Sequence, residues 1–191
     1  MAWIETVSFE NAVGKLKTIY ERVTGPDSNV DNILMSHSLR PHTLEGHMAI
    51  YKATLHHYGN QLPKWLLELL GVYVSILNQC HYCVEHHFGG FSRLLGDQER
   101  ADKIRASLEE GKPETALDER EVSACRYAQK LTTEPGNMCE NDIILLKNSG
   151  FDDGEILEIN QVVAYFSYAN RTVLGLGVNI SGDVIGLSPN S

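Results

Sequence analysis

The run Glu68-x11-Cys80-His81-Tyr82-Cys83-x3-His87 sets two thiols beside an imidazole and a carboxylate. Residues three and four apart share a helix face, so Cys80, Cys83 and His87 form one stripe about two turns long. The two sulfurs are then within reach of a small disulfide. Glu68 does not fit on that helix. At ~1.5 Å of rise per residue, a straight helix would hold it roughly 18 Å from Cys80 and about 22 Å from Cys83. If Glu68 works with the thiols, the chain has to turn between them. Asn78 is the expected N-cap of a new helix over residues 78–95, whose N-terminal dipole would favour a thiolate.

The residue types define a redox chemistry. A thiolate attacks a peroxide oxygen, whereas a free cysteine with pKa near ~8.5 is mostly protonated at neutral pH. His87, one turn after Cys83, is placed to take that proton, and a carboxylate can orient the imidazole. Glu68 is the candidate. Attack leaves a sulfenic acid, which a second thiol condenses to a disulfide; Cys80 is the expected resolving thiol.

The same spacing resembles the active-site signature of the alkylhydroperoxidase D and carboxymuconolactone decarboxylase-like superfamily, whose members are all-helical oligomers. The segment from Gly150 to Val178, with Tyr168-Ala169-Asn170-Arg171 and Gly175-Leu176-Gly177-Val178, is similar to its peroxidase-related subgroup. The resemblance spans roughly residues 30–180. It implies Cys83 as the attacking thiol, Cys80 as the resolving thiol, and His87 with Glu68 as the proton relay. Well-studied peroxidases of the family carry a histidine where this chain has Tyr82. A phenol with pKa ~10 is no proton shuttle near neutral pH, which implies a shorter relay or a lower rate.

Composition agrees with an enzyme of this kind. The 191 residues are 42% hydrophobic, enough for one helical domain over residues 1–191 with a real core. Sixteen basic against 25 acidic side chains give a formal net charge of −9, which disfavours nucleic acid and anionic membrane as partners. The N-terminus lacks a basic segment followed by an apolar run, and no eighteen apolar residues occur in succession. A cytoplasmic protein is expected. A Cys-x-x-Cys in a reducing compartment is more often catalytic or metal-binding than structural.

Helical periodicity continues along most of the chain. Helices are expected over residues 9–23, closed by the breaker Gly25-Pro26; over 32–39 and 41–58; from Pro63 through Glu68; over 98–110; over 118–131 with Asp118 as N-cap; over 141–149 up to Gly150; and over 153–173. No alternating strand pattern appears. The tail from about residue 178, rich in Gly, Ser, Asn and Pro, reads as an arm or a loosely ordered end that could cross to another subunit.

The sequence therefore predicts an all-α, homo-oligomeric thiol peroxidase. Its substrate is a hydroperoxide, its reductant an unidentified thiol or dithiol protein, and it needs neither haem nor flavin. A dithiol-disulfide oxidoreductase or redox sensor, and a decarboxylase-like enzyme, are the alternatives. Structural zinc would need a second pair of ligands that the motif lacks, so no metal is assigned; His86, about 100° round the helix from His87, cannot share the stripe. Cys125 and Cys139 read as incidental thiols, and His37, His42, His47, His56 and His57 as exposed or capping, although His47 or Tyr51 could line a site wall. Asn170 and Arg171 fit either a substrate contact or an interhelical link.

Overall fold

Residues 64–77 are apolar on every side, which places such a helix in the middle of a structure. The computed structural model describes residues 2–24 and 29–186, and among these no strand forms. Nine α-helices follow in order: α1 (Gly14–Val23), α2 (Asn32–Ser36), α3 (Pro41–Tyr51), α4 (Lys64–Leu77), α5 (His81–Leu95), α6 (Gln98–Glu109), α7 (Glu119–Thr133), α8 (Glu140–Asn148) and α9 (Asp153–Leu176). The all-α expectation holds. Gly25-Pro26 and residues 187–191 lie outside the described residues.

Helix α4 is the hub. It buries Leu66, Leu67, Leu69, Leu70, Val72, Tyr73 and Val74 against α5, α7 and α9. Closest approach to α9 depends on Gly71, where a Cβ would run into the Phe166 ring. The start of α4 is held by α9 as well, because the Glu158 carboxylate accepts from the backbone N–H groups of Gln61 and Leu62 at 2.8 and 2.9 Å. Two long helices begin with reciprocal capping boxes, Asp118 with Glu121 on α7 and Asp152 with Glu155 on α9. Asp118 is the N-cap the sequence predicts.

Three expectations change. Residues 9–12 turn back instead of opening α1, so that Phe9 stacks near Tyr20 at 6.4 Å with Lys17 over its ring. The helix expected to run to residue 58 is α-helical only to Tyr51; Lys52–His56 widens to a π-helical turn in which the Thr54 hydroxyl donates to Ile50 O at 2.9 Å. That turn sends Tyr51 and His56 toward the interior.

The tail is the third. Helix α9 ends at Gly177, left-handed at φ 62°, where a Cβ would collide with the Trp3 indole. Beyond it the chain folds back across the molecule. Asn32 Nδ2 donates to Asn179 O and Ser181 O at 2.8 and 3.0 Å, the Asn32 N–H donates to the Asp183 carboxylate at 3.1 Å, and Arg93 donates to Gly186 O. Residues 178–186 are thus a strap tied to α2 and α5. A polar, glycine-rich sequence reads as loose because its anchors are 93 to 151 residues away.

Candidate active site

The turn demanded by Glu68 is present, two residues later than expected. Asn78 does not start a helix: it is the C-cap of α4, and Gln79 takes the left-handed conformation at φ 56°. Cys80 N–H donates to Ser75 O at 2.8 Å and Gln79 N–H to Ile76 O at 2.9 Å, the paired bonds of a Schellman stop. The reversal sits where those bonds close, and Cys80 becomes the N-cap residue of α5. Freed from capping, the Asn78 side chain donates to Asn170 Oδ1 at 3.0 Å.

This reversal folds α5 back along α4 and brings Glu68 Oε2 to 2.8 Å from His87 Nδ1. Glu68 is only 2% exposed, and a carboxylate that deep requires a partner. His56 Nε2 stands 3.9 Å from its other oxygen. The His87 ring packs edge-on to Phe166 at 4.5 Å and beside Tyr51 at 6.3 Å.

The two sulfurs are 2.9 Å apart and unbonded. Their hydrogen bond makes the pair acidic at one end. The Cys83 S–H stabilises an anion on Cys80, against the cost of burial and with help from the Cys83 backbone N–H, so the Cys80 pKa falls below the ordinary thiol value. Cys83 is correspondingly pushed well up by that bond, by burial and by the Cys80 charge, opposed by the Asn170 side chain. Charge and access favour different sulfurs. Cys80 is fully buried, whereas Cys83 lines a cavity of about 60 Å³.

That cavity also exposes His86, His87, Asp31, Tyr82, His47, Tyr51 and Tyr165. At roughly 10–15 Å³ per water it takes a molecule of a few heavy atoms. His47 is buried, against the expectation of an exposed or capping residue. Its ring lies 5.1 Å from His37 and 5.8 Å from Tyr165, and burial, with the charges of His37 and His87, lowers its pKa to about 3. His37 and His56 are lowered too, by burial first. His42 and His57 are exposed as expected. Packing of the end of α2, of α3 and of the π-helical turn around α9 gathers the other three; their polar-looking sequence neighbourhood carries no local signal.

Tyr82 stands between the thiols in sequence and outside the relay in space. Its hydroxyl donates to Asp183 Oδ2 at 2.6 Å and accepts from the Ile33 N–H at 3.2 Å, and burial with the Asp183 charge drives its pKa far up. His86 stacks on Tyr82 at 4.4 Å and reaches Asp183 at 3.2 Å. Asp31, raised to about 6 chiefly by burial, with Asp183 raising it and His86 and His87 opposing, lies on the same wall. Asp31, His86 and Asp183 are absent from the sequence-derived site because nothing in their local patterns links them.

The remaining candidates separate. Asn170 is fully buried and ties α9 to α4, donating to Ser75 Oγ at 3.1 Å: it is an interhelical link. Arg171 is exposed and donates to Ser167 O on its own helix. Cys125 is buried in the core, its thiol pushed up by desolvation, and Cys139 is exposed at the start of α8.

No family model matches the sequence, and no curated protein does. Solved structures do match. An uncharacterized peroxidase-related protein from Ralstonia eutropha, described as an alkylhydroperoxidase AhpD core, superposes with a TM-score of 0.81 at 21% identity, covering 93% of this chain and 91% of that one. The chain has the AhpD-like fold. A peroxidase-related protein from a Silicibacter species shares it, with a TM-score of 0.80 at 23% identity and coverages of 93% and 91%. The fold also extends to the debrominase Bmp8 in complex with a tribromopyrrole, with a TM-score of 0.67 at 15% identity and coverages of 88% and 84%. AhpD-like architecture therefore hosts peroxidase-related and debrominase proteins. Among the described residues no helix is long and apolar enough to cross a membrane.

Proposed function

We propose that this AhpD-like chain is a cysteine-dependent peroxidase. One observation carries the reading: of two thiols 2.9 Å apart, only Cys83 faces a cavity, and His87, hydrogen-bonded to buried Glu68, lines that same cavity. The first proton leaves the pair through His87, whose ring Glu68 holds in place through the 2.8 Å bond to Nδ1. A proton shift between the sulfurs puts the anion on Cys83, the one that can meet substrate. Cys83 sulfur then attacks the terminal peroxide oxygen and the O–O bond breaks. One oxygen stays as Cys83–SOH, and the other leaves as an alkoxide or hydroxide that takes up the relayed proton. Cys80 attacks the sulfenic sulfur, water leaves, and a disulfide forms. Two electrons from an external thiol or dithiol restore the pair.

The cavity's size favours hydrogen peroxide or a short organic hydroperoxide. Burial of both sulfurs disfavours a protein disulfide as substrate, and with it the oxidoreductase alternative. A reducing, cytoplasmic setting belongs to the reading, because the cycle needs thiols. So does a homo-oligomer, for which Ile144, Leu145, Leu157 and Tyr168 on α8 and α9 offer exposed apolar surface.

A second reading follows from the aromatic lining of the cavity, which suits a flat ring, although a brominated pyrrole requires the cavity of about 60 Å³ to widen. Cys83 could take bromine from a halogenated pyrrole, with Cys80 displacing bromide to form the same disulfide and a proton replacing bromine on the ring. Both readings spend two electrons from one dithiol.

The test is peroxide consumption by the reduced protein, with thiols titrated before and after. Wild type should lose two thiols per peroxide. Cys83→Ser should be inert, and Cys80→Ser should stop after one turnover with a trappable sulfenic acid. Equal consumption by Cys83→Ser would end the assignment, and turnover of brominated pyrrole but not peroxide would favour the second reading.

A further inference from the structure

Asp31 precedes α2, His86 lies on α5 and Asp183 belongs to the strap, yet one ligand atom from each, two carboxylate oxygens and a ring nitrogen, lie within 4.8 Å of one another. Asp31 and His86 line the Cys83 cavity. The His86 side chain is only 10% exposed, and its Nε2 is buried with no hydrogen bond. Asp183 Oδ2 is 3.2 Å from that nitrogen, close without the alignment of a donated N–H. Two ligand atoms each ~2.1 Å from one metal ion stand about 3.0–3.4 Å apart, so this unaligned edge has the length that shared coordination produces.

The surroundings fit the same interpretation. Asp183 is held from behind by the Tyr82 hydroxyl at 2.6 Å and by the Asn32 N–H at 3.1 Å, contacts of the kind that orient a ligating carboxylate. Asp31 occupies the N-cap position of α2, yet its side chain makes no capping bond. Two carboxylates converging on a buried, unbonded imidazole nitrogen leave a concentration of negative charge that a cation relieves.

We propose that Asp31, His86 and Asp183 form a binding site for one divalent first-row cation, of the Zn²⁺ or Mn²⁺ class. One imidazole with two carboxylates is a donor set both ions accept. Three protein ligands leave coordination positions open toward the cavity, where water or an anionic oxygen of a small ligand would complete the shell. The ion would also fasten the strap, since it joins Asp183 to residues on α5 and beside α2. The site is independent of the peroxidase reading: it uses neither thiol, nor His87, nor Glu68.

Mn²⁺ is the probe of choice because it prefers oxygen and nitrogen over the neighbouring thiols. Titrated calorimetrically into the full-length reduced protein, it should bind with one equivalent, and equally well to a protein carrying both Cys80→Ser and Cys83→Ser. Asp31→Asn and His86→Gln should each weaken binding by about tenfold or more. Asp31→Asn removes no hydrogen bond of the fold, so it keeps the test clear of misfolding. Bound Mn²⁺ should slow proteolysis within residues 178–186. Failure of the protein to bind Mn²⁺ and Zn²⁺, binding that survives both substitutions, or binding lost with the two cysteines would overturn the proposal.

Discussion

Glu68 and His87 are nineteen residues apart and share a 2.8 Å hydrogen bond, a separation that a straight helix would stretch to roughly 28 Å. The contact exists because α4 stops in a Schellman motif at Asn78-Gln79 and α5 returns antiparallel beside it. The geometry of the candidate site is a product of a helix stop.

Replacing Glu68 with Gln keeps the shape of the side chain and removes its charge. His87 then loses the carboxylate that orients its ring, and peroxide reduction should fall by about 10²-fold or more while the circular dichroism stays that of wild type. Steady-state kinetics on the two proteins check it. Wild-type rates in Glu68→Gln would remove Glu68 from the relay.

Gly71 lets the Phe166 ring, which also packs against His87, lie directly on α4. Gly71→Ala forces that ring aside. We expect a loss of about 1–3 kcal/mol in denaturant unfolding, together with a lower peroxidase rate because His87 loses its backing. An unchanged midpoint would mean that α9 moves freely.

Tyr82→Phe deletes the hydroxyl that joins the strap to α5 and α2. The expected cost is about 1–2 kcal/mol, with faster amide exchange in residues 178–186. Exchange as slow as in wild type would show that the other anchors suffice.

His47 sets a pH dependence. Its folded pKa of about 3 lies below the unfolded value near ~6.5, so the unfolded chain binds more protons between those limits and stability falls as pH drops through that window, by at most about 1.4 kcal/mol per pH unit from this residue. Asp31, raised to about 6, acts with the opposite sign above its unfolded value. The clean measurement is therefore a difference: unfolding of His47→Phe should lose less stability than wild type between about pH 6 and 4. Parallel curves would refute the burial of an uncharged imidazole.

Local patterns carried the helices well, because helical periodicity and capping are short-range physics. Asp118 caps α7 as expected, and the apolar run of α4 announces its own burial. Boundaries failed where distant contacts decide them. Phe9 leaves α1 to reach Tyr20, Thr54 bends the end of α3 into a π-helical turn, and Asn78 spends its side chain on Asn170 instead of a cap.

By itself the sequence determined the helical class, the adjacency of Cys80, Cys83 and His87, and the need for a bend before Glu68 could join them, since spacing along one helix fixes all three. Only the tertiary structure decided that Cys83 and not Cys80 opens to a cavity, that His47 is buried in its wall, and that the strap brings Asp183 to His86 and Asp31. Those placements come from α2, α3, α5, α9 and the strap meeting across long stretches of chain, and no local pattern encodes a contact whose two halves lie in separate elements.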